Sequence, residues 1–168
     1  MKIFKPPTTP DVSEAELTIF LAGSIEQGKA DNWQDQITKE LETEEVVLFN
    51  PRRVNWNSKL KQDITNPEFA EQVNWELDRL NECDIIFMYI DPKTQSPITL
   101  LEFGQYYQSG KLIICCPDGF WRKGNIQVCC ERAQIHLHDD LSTAISALKT
   151  ICKLRQKYHY GSKRSTDE

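Results

Sequence analysis

The sequence has no long apolar run. Its longest, Ile85-Ile86-Phe87-Met88-Tyr89-Ile90, is six residues, where a helix needs about 20 to cross a bilayer. No spanning helix and no membrane partner is therefore expected. The opening Met1-Lys2-Ile3-Phe4-Lys5-Pro6-Pro7 has neither the apolar block nor the small-residue cleavage site of a secretory signal. Neither G-x-G-x-x-G nor G-x-x-x-x-G-K-[ST] occurs, so dinucleotide and triphosphate loops are unsupported. An excess of basic charge is missing too. The 20 Lys and Arg against 25 Asp and Glu leave a net charge of −5. That disfavours a nucleic-acid partner, because phosphate-backbone binding draws on surplus Lys and Arg. It leaves a small anionic ligand open, since a local pocket can oppose the global sign.

A chain of 168 residues suits one domain and buries a core without covalent staples. Its six cysteines (Cys83, Cys115, Cys116, Cys129, Cys130 and Cys152) show no C-x-x-C spacing. Cys115 and Cys116 end a strand-like run, where adjacent side chains point to opposite faces. Reduced thiols and a cytoplasmic location are the expectation. His136 and His138 share one face of a predicted strand and follow Cys129-Cys130, which raises zinc as an alternative to an ordinary strand end. No second ligand pair has zinc-site spacing. No metal and no cofactor is expected.

Strand-like and helix-like segments alternate along the chain. Apolar runs at 17–22, 46–49, 85–90, 112–116 and 135–138 read as strands. Helices are predicted from Asp31 or Asn32 to about Glu42, from Asn66-Pro67, from Ser96-Pro97 to Ser109, near 125–132, and from Asp140 to about Lys153. The segment 52–65, with Trp56, shows no period and reads as a long excursion of the kind that often carries function. Strands alternating with helices imply right-handed crossovers and a parallel sheet covered on both faces. The expected fold is a single α/β domain over 17–153, a five-stranded, doubly wound parallel sheet of flavodoxin or Rossmann type. A polar lead-in (1–16) precedes it and a basic, polar tail (154–168) follows.

Ligands in such sheets bind beyond the carboxyl ends of the strands, where strand order reverses. Gly23-Ser24-Ile25, the segment 91–99 and the segment 117–125 converge there. Ser96 reads either as a plain N-cap or as a group that meets a phosphate or hydroxyl at a helix N-terminus. Glu76 interrupts an apolar stripe of Phe69, Val73, Leu77 and Leu80. Glu102 is bracketed by Ile98, Leu101 and Gln105, which sets it beside the inward face of its helix. Two inward carboxyl groups near a strand-end cleft can divide the roles of nucleophile and proton donor. Structural ion pairs also place acids inward.

Several segments together resemble the nucleoside 2-deoxyribosyltransferase family, and most closely its nucleoside 2-deoxyribosyltransferase-like branch. They are Phe20-Leu21-Ala22-Gly23-Ser24-Ile25, Asn50-Pro51-Arg52-Arg53, Glu71-Gln72-Val73-Asn74-Trp75-Glu76-Leu77, Asp84-Ile85-Ile86, Leu101-Glu102-Phe103-Gly104, Ser109-Gly110-Lys111 and Gly124-Asn125-Ile126. The resemblance spans roughly 17–150. It implies cleavage of the N-glycosidic bond of a nucleoside or its 5′-monophosphate, with transfer of the sugar to a base or to water.

By the same resemblance, Glu102 is the nucleophile that forms a glycosyl ester. Glu76 stands where relatives carry an aspartate that orients the sugar and assists proton transfer. Ser96 stands where transferases have an aspartate and monophosphate hydrolases a serine. Gly23 and Ser24 meet sugar or base through their backbone. Asn125 corresponds to an asparagine lent to a neighbouring subunit, which implies a homodimer or larger homo-oligomer with shared sites. Pro97-Ile98-Thr99-Leu100-Leu101 replaces a glycine-rich approach to the nucleophile, and Glu26 stands where the monophosphate hydrolases tend to have arginine. Arg52, Arg53 and Arg122 offer guanidinium forks to a phosphate, or pair with surface acids. The alternative to an enzyme is an inactive nucleotide-binding module of the same fold.

Overall fold

The computed structural model describes residues 1–13, 16–25, 31–53 and 60–164, with side chains as far as Lys157. Glu26 and Trp56 lie outside the described residues. The chain runs β1 (Lys2–Phe4), β2 (Leu17–Gly23), α1 (Trp33–Glu40), β3 (Val46–Phe49), α2 (Pro67–Glu82), β4 (Ile85–Tyr89), α3 (Pro97–Tyr106), β5 (Leu112–Cys115), α4 (Lys123–Ala133), β6 (Leu137–His138) and α5 (Leu141–Arg164). All strand pairings are parallel, in the order β1-β3-β2-β4-β5-β6. Among the described residues the sheet has six strands, where the sequence suggested five.

The additional strand is β1, inside the segment read as a polar lead-in. Ile3 pairs with Leu48 and Phe4 with Phe49. Three residues between lysines and prolines are too few to show a period, and the pairing is made by backbone. The lead-in also packs further on, for Trp75 Nε1 donates to the Thr8 carbonyl at 2.8 Å.

Strand alternation divides the core into two. Phe20, Ala22, Phe49, Ile86, Met88 and Ile114 face α2, α3 and α4, with Trp75, Leu80, Phe103, Ile126 and Cys130 packed on them. Ile19, Leu21, Leu48, Phe87 and Cys115 face α1 and α5, through Trp33, Ile37, Ala144, Ile145 and Leu148. Cys115 and Cys116 fall in opposite cores, and all six cysteines are free thiols. Covering on both faces explains why the strands carry continuous apolar runs.

Two helix starts follow capping chemistry. Asn66 Oδ1 accepts from the Glu68 and Phe69 amides at 3.1 and 3.4 Å, with Pro67 next. Asp140 Oδ1 accepts from the Thr143 amide at 2.9 Å. Helix α5 then continues to Arg164, well beyond Lys153. Its buried row is Ala144, Ile145, Leu148 and Cys152, and Lys149 pairs with Glu40 at 3.0 Å. The later residues are mostly good helix formers such as Lys, Arg, Leu and Gln, which favours continuation of the helix. Strand order reverses between β2 and β4, and the loops after these strands flank that point.

Candidate active site

Strand β2 ends on Gly23, whose φ is +140°. A Cβ there would stand 2.1 Å from the Tyr89 carbonyl oxygen and 2.9 Å from the Trp33 ring. Glycine is required on both counts. The Ser24 amide then donates to Tyr89 O at 3.0 Å, and Trp33 Nε1 donates to Ser24 O at 3.0 Å. These bonds pin the turn and send the Ser24 side chain across to the loop after β4. Ile25 follows, half-buried.

Ser24 Oγ accepts from the Asp91 amide at 2.9 Å. It lies 3.0 Å from Thr94 Oγ1 and 2.5 Å from Ser96 Oγ. Thr94 Oγ1 is 2.6 Å from Ser96 Oγ and donates to the Asp91 carbonyl at 2.8 Å. All three hydroxyl residues are buried. Their three protons are shared among four oxygen–oxygen contacts, so at least one contact lacks a proton at any moment. Ser96 precedes α3 in the left-handed conformation (φ 46°) and makes no side-chain cap bond. Ser96 is the N-cap by position, its carbonyl accepting from the Leu100 amide at 3.0 Å, but its hydroxyl turns to Ser24 and Thr94. Non-glycine residues occupy this region at a cost of about 1–2 kcal/mol, which the cluster holds in place.

Two helices supply the carboxyl groups. On α2 the buried face is Gln72, Trp75 and Leu80, while Leu77 is 37% exposed. The buried face is thus rotated from the expected Phe69-Val73-Leu77 stripe, because Trp75 enters the core against Phe20 and Phe49. Glu76 sits at its border, its Oε1 accepting from Gln72 Nε2 at 2.6 Å. On α3, Thr99, Glu102 and Phe103 are buried. Ile98 and Leu101 are 61% and 59% exposed, and Gln105 is exposed as well. The expected bracket around Glu102 is therefore wrong in its neighbours. Phe103, packed in the core, sets the helix rotation and carries Glu102 inward with it.

Burial pushes the Glu102 carboxyl up to about 8, with the negative charge of Glu76 adding to the rise. Burial likewise pushes Glu76 up to about 7, opposed by the Gln72 hydrogen bond and by the Arg53 charge. The charge of Glu76 is felt at Glu102 across the gap between α2 and α3. Both raised, they retain protons near neutrality that ordinary glutamates would have released.

Asn125 is exposed in the first turn of α4. Trp121, 51% exposed, donates to the Gln95 carbonyl at 3.3 Å and carries Arg122 at 4.3 Å over its ring. Arg53 pairs with Glu71 and Glu68 at 3.1 and 3.7 Å. Arg52 Nη1 reaches Gln34 Oε1 at 3.4 Å. His136 and His138 stack edge to face at 4.5 Å. Among the described residues no group of three or more His, Cys, Asp or Glu is placed to hold a metal.

Sequence reading missed Thr94 and Gln72. Thr94 follows Asp91 at the spacing of a tight turn, and its amide donates to Asp91 O at 3.1 Å; that spacing was the available signal. Gln72 precedes Glu76 by one helical turn, a separation at which side chains meet.

A protein-family model described as nucleoside 2-deoxyribosyltransferase like matches residues 16–120. No curated protein sequence matches significantly. The crystal structure of a conserved protein from Enterococcus faecalis V583 is similar over 79% of this chain and 87% of that one, at 16% identity and a TM-score of 0.43.

Proposed function

This chain belongs to the nucleoside 2-deoxyribosyltransferase-like family, and from that premise we propose that it breaks the N-glycosidic bond of 2′-deoxynucleosides, nucleosides or their 5′-monophosphates. The observation that supports the reading is a buried Glu102 and a half-buried Glu76, both held above the ordinary carboxyl range, with the Glu76 charge acting on Glu102 and neither in an ion pair among the described residues. Glu102 attacks C1′ as its carboxylate. The bond from C1′ to the base nitrogen breaks, its electron pair leaves with the base, and protonated Glu76 supplies the proton. A base or water then attacks C1′, returns a proton to Glu76 and frees the Glu102 carboxylate. Splitting one displacement into two lowers each barrier.

The hydroxyl cluster of Ser24, Thr94 and Ser96 is the polar group that would meet a sugar hydroxyl. The backbone of Gly23 and Ile25, on either side of Ser24, is left to meet sugar or base. No cofactor enters the scheme. Asn125 completes a neighbouring copy's site in a homo-oligomer, supported by exposed Ile98, Leu101, Trp121 and Val128 on the same side of the sheet. A cytoplasmic setting agrees with six free thiols.

The test is incubation with 2′-deoxynucleosides and their 5′-monophosphates, following free base by chromatography. Base release that disappears in Glu102→Ala is expected. A second reading, an inactive nucleotide-binding module, is favoured by one feature. No hydrogen bond from the described residues steadies an ionised Glu102. Calorimetric binding with no base released over long incubation would select it.

A further inference from the structure

We propose that Gln72 is a positioning residue that makes the two carboxyl groups unequal: it commits Glu76 Oε1 as an acceptor and leaves Oε2 as the oxygen that carries and passes the proton. Its use in catalysis rests on the glycoside-cleaving reading; its geometry does not.

Gln72 is 7% exposed. Its Nε2 donates to the Pro51 carbonyl at 3.0 Å and to Glu76 Oε1 at 2.6 Å. A carbonyl oxygen can only accept, so the amide nitrogen must face Pro51. Both amide hydrogens are then spent. The Gln72 Oε1 is buried with no partner among the described residues. An orphaned buried acceptor is costly, and the arrangement keeps it in order to present the donor side to Glu76.

Pro51 lies directly after β3, beside Asn50, whose Oδ1 accepts from the Arg52 amide at 3.0 Å and whose own amide donates to Phe4 O at 2.9 Å. The carboxyl group on α2 is thus tied to the carboxyl edge of the sheet. The groups acting on Glu76 are Gln72 from its own helix and Arg53 from the segment after β3, and Glu76 in turn acts on Glu102 of α3. Arg53 divides its charge with Glu68 and Glu71. Glu102 receives no hydrogen bond from the described residues. Gln72 therefore supplies the direct, oriented part of the difference between the two acids. A proton on Glu76 sits on Oε2, because Oε1 already faces an N–H.

The experiment titrates substrate-free protein carrying ¹³Cδ-labelled glutamate, with Glu102→Gln and Glu76→Gln spectra for assignment. In Gln72→Met the Glu76 midpoint is expected to move up by about one pH unit, closing the gap to Glu102. A folded Gln72→Met protein with the Glu76 midpoint unmoved would overturn the proposal. Should that variant not fold, the side-chain amide of Gln72 in the unaltered protein decides. Its two hydrogens should exchange slowly, and its resonances should follow the Glu76 midpoint. Rapid exchange with no response to pH would overturn the proposal equally. Neither measurement uses a substrate, so its failure leaves glycoside cleavage untouched, and absence of cleavage leaves the titration standing.

Discussion

Ser24 Oγ and Ser96 Oγ are 72 residues apart in the chain and 2.5 Å apart in space. The contact joins the end of β2 to the start of α3 across the point where strand order reverses. Both ends are conformationally committed: Gly23 by a turn that admits no side chain, Ser96 by its left-handed backbone. The loops that would receive a substrate are therefore braced before it arrives, which is what positioning to within about an ångström demands.

Gly23→Ala tests the first brace. The added carbon meets the Tyr89 carbonyl, and neither backbone can withdraw without opening the sheet. A loss of about 3 kcal/mol or more in chemical denaturation is expected.

Thr94→Val tests the second. The substitution keeps shape but removes the donor to Asp91 O and the Thr94 hydroxyl's contact with each serine. A stability loss of about 1–2 kcal/mol should accompany a raised KM, whereas Thr94→Ser should restore both.

The carboxyl pair makes stability depend on pH. Glu102 and Glu76 rise from an ordinary 4.5 to about 8 and about 7. The folded chain thus keeps protons that the unfolded chain has released. Stability from this source is full below about 4.5 and is lost as pH climbs through about 7 and about 8. Thermal melts should fall over that window. Glu102→Gln should flatten the curve and stabilise the protein at pH 8 by about 1–3 kcal/mol, a gain made at the expense of activity.

In the proposed mechanism, cleavage requires Glu102 ionised and Glu76 protonated. That demands a pH high enough for the first and low enough for the second, so kcat/KM should be bell-shaped with its top between about 7 and about 8. Glu76→Gln should lose about 10²–10⁴-fold and convert the bell into a single rise.

Shared sites can be tested by mixing. Glu102→Ala and Asn125→Ala subunits, each inactive alone, should regain base release together when exchanged into one oligomer.

Much of this was legible beforehand, and unevenly so. Strands buried on both faces wrote themselves as continuous apolar runs, which is why β2, β3, β4 and β5 were placed within a residue or two. Strand β1 was hidden because an edge pairing of three residues leaves no pattern. The rotation of α3 was misread because hydrophobicity alone points Ile98 and Leu101 inward, yet both are exposed while a glutamate is buried. A local rule broken in this way marks functional sites more than structural ones. Spacing hinted at the Asp91–Thr94 turn and the Gln72–Glu76 pair, but the contacts of Thr94 with Ser24 and of Gln72 with Pro51 join segments far apart in the chain, which spacing does not encode.

The most direct test is intact-protein and peptide mass spectrometry after rapid acid quench in the presence of a 2′-deoxynucleoside or its 5′-monophosphate. The expected result is one added deoxyribosyl group, on the peptide containing Glu102, absent in Glu102→Ala and discharged when acceptor base is supplied. Base release with that peptide unmodified throughout, or undiminished in Glu102→Ala, would contradict covalent capture at this residue.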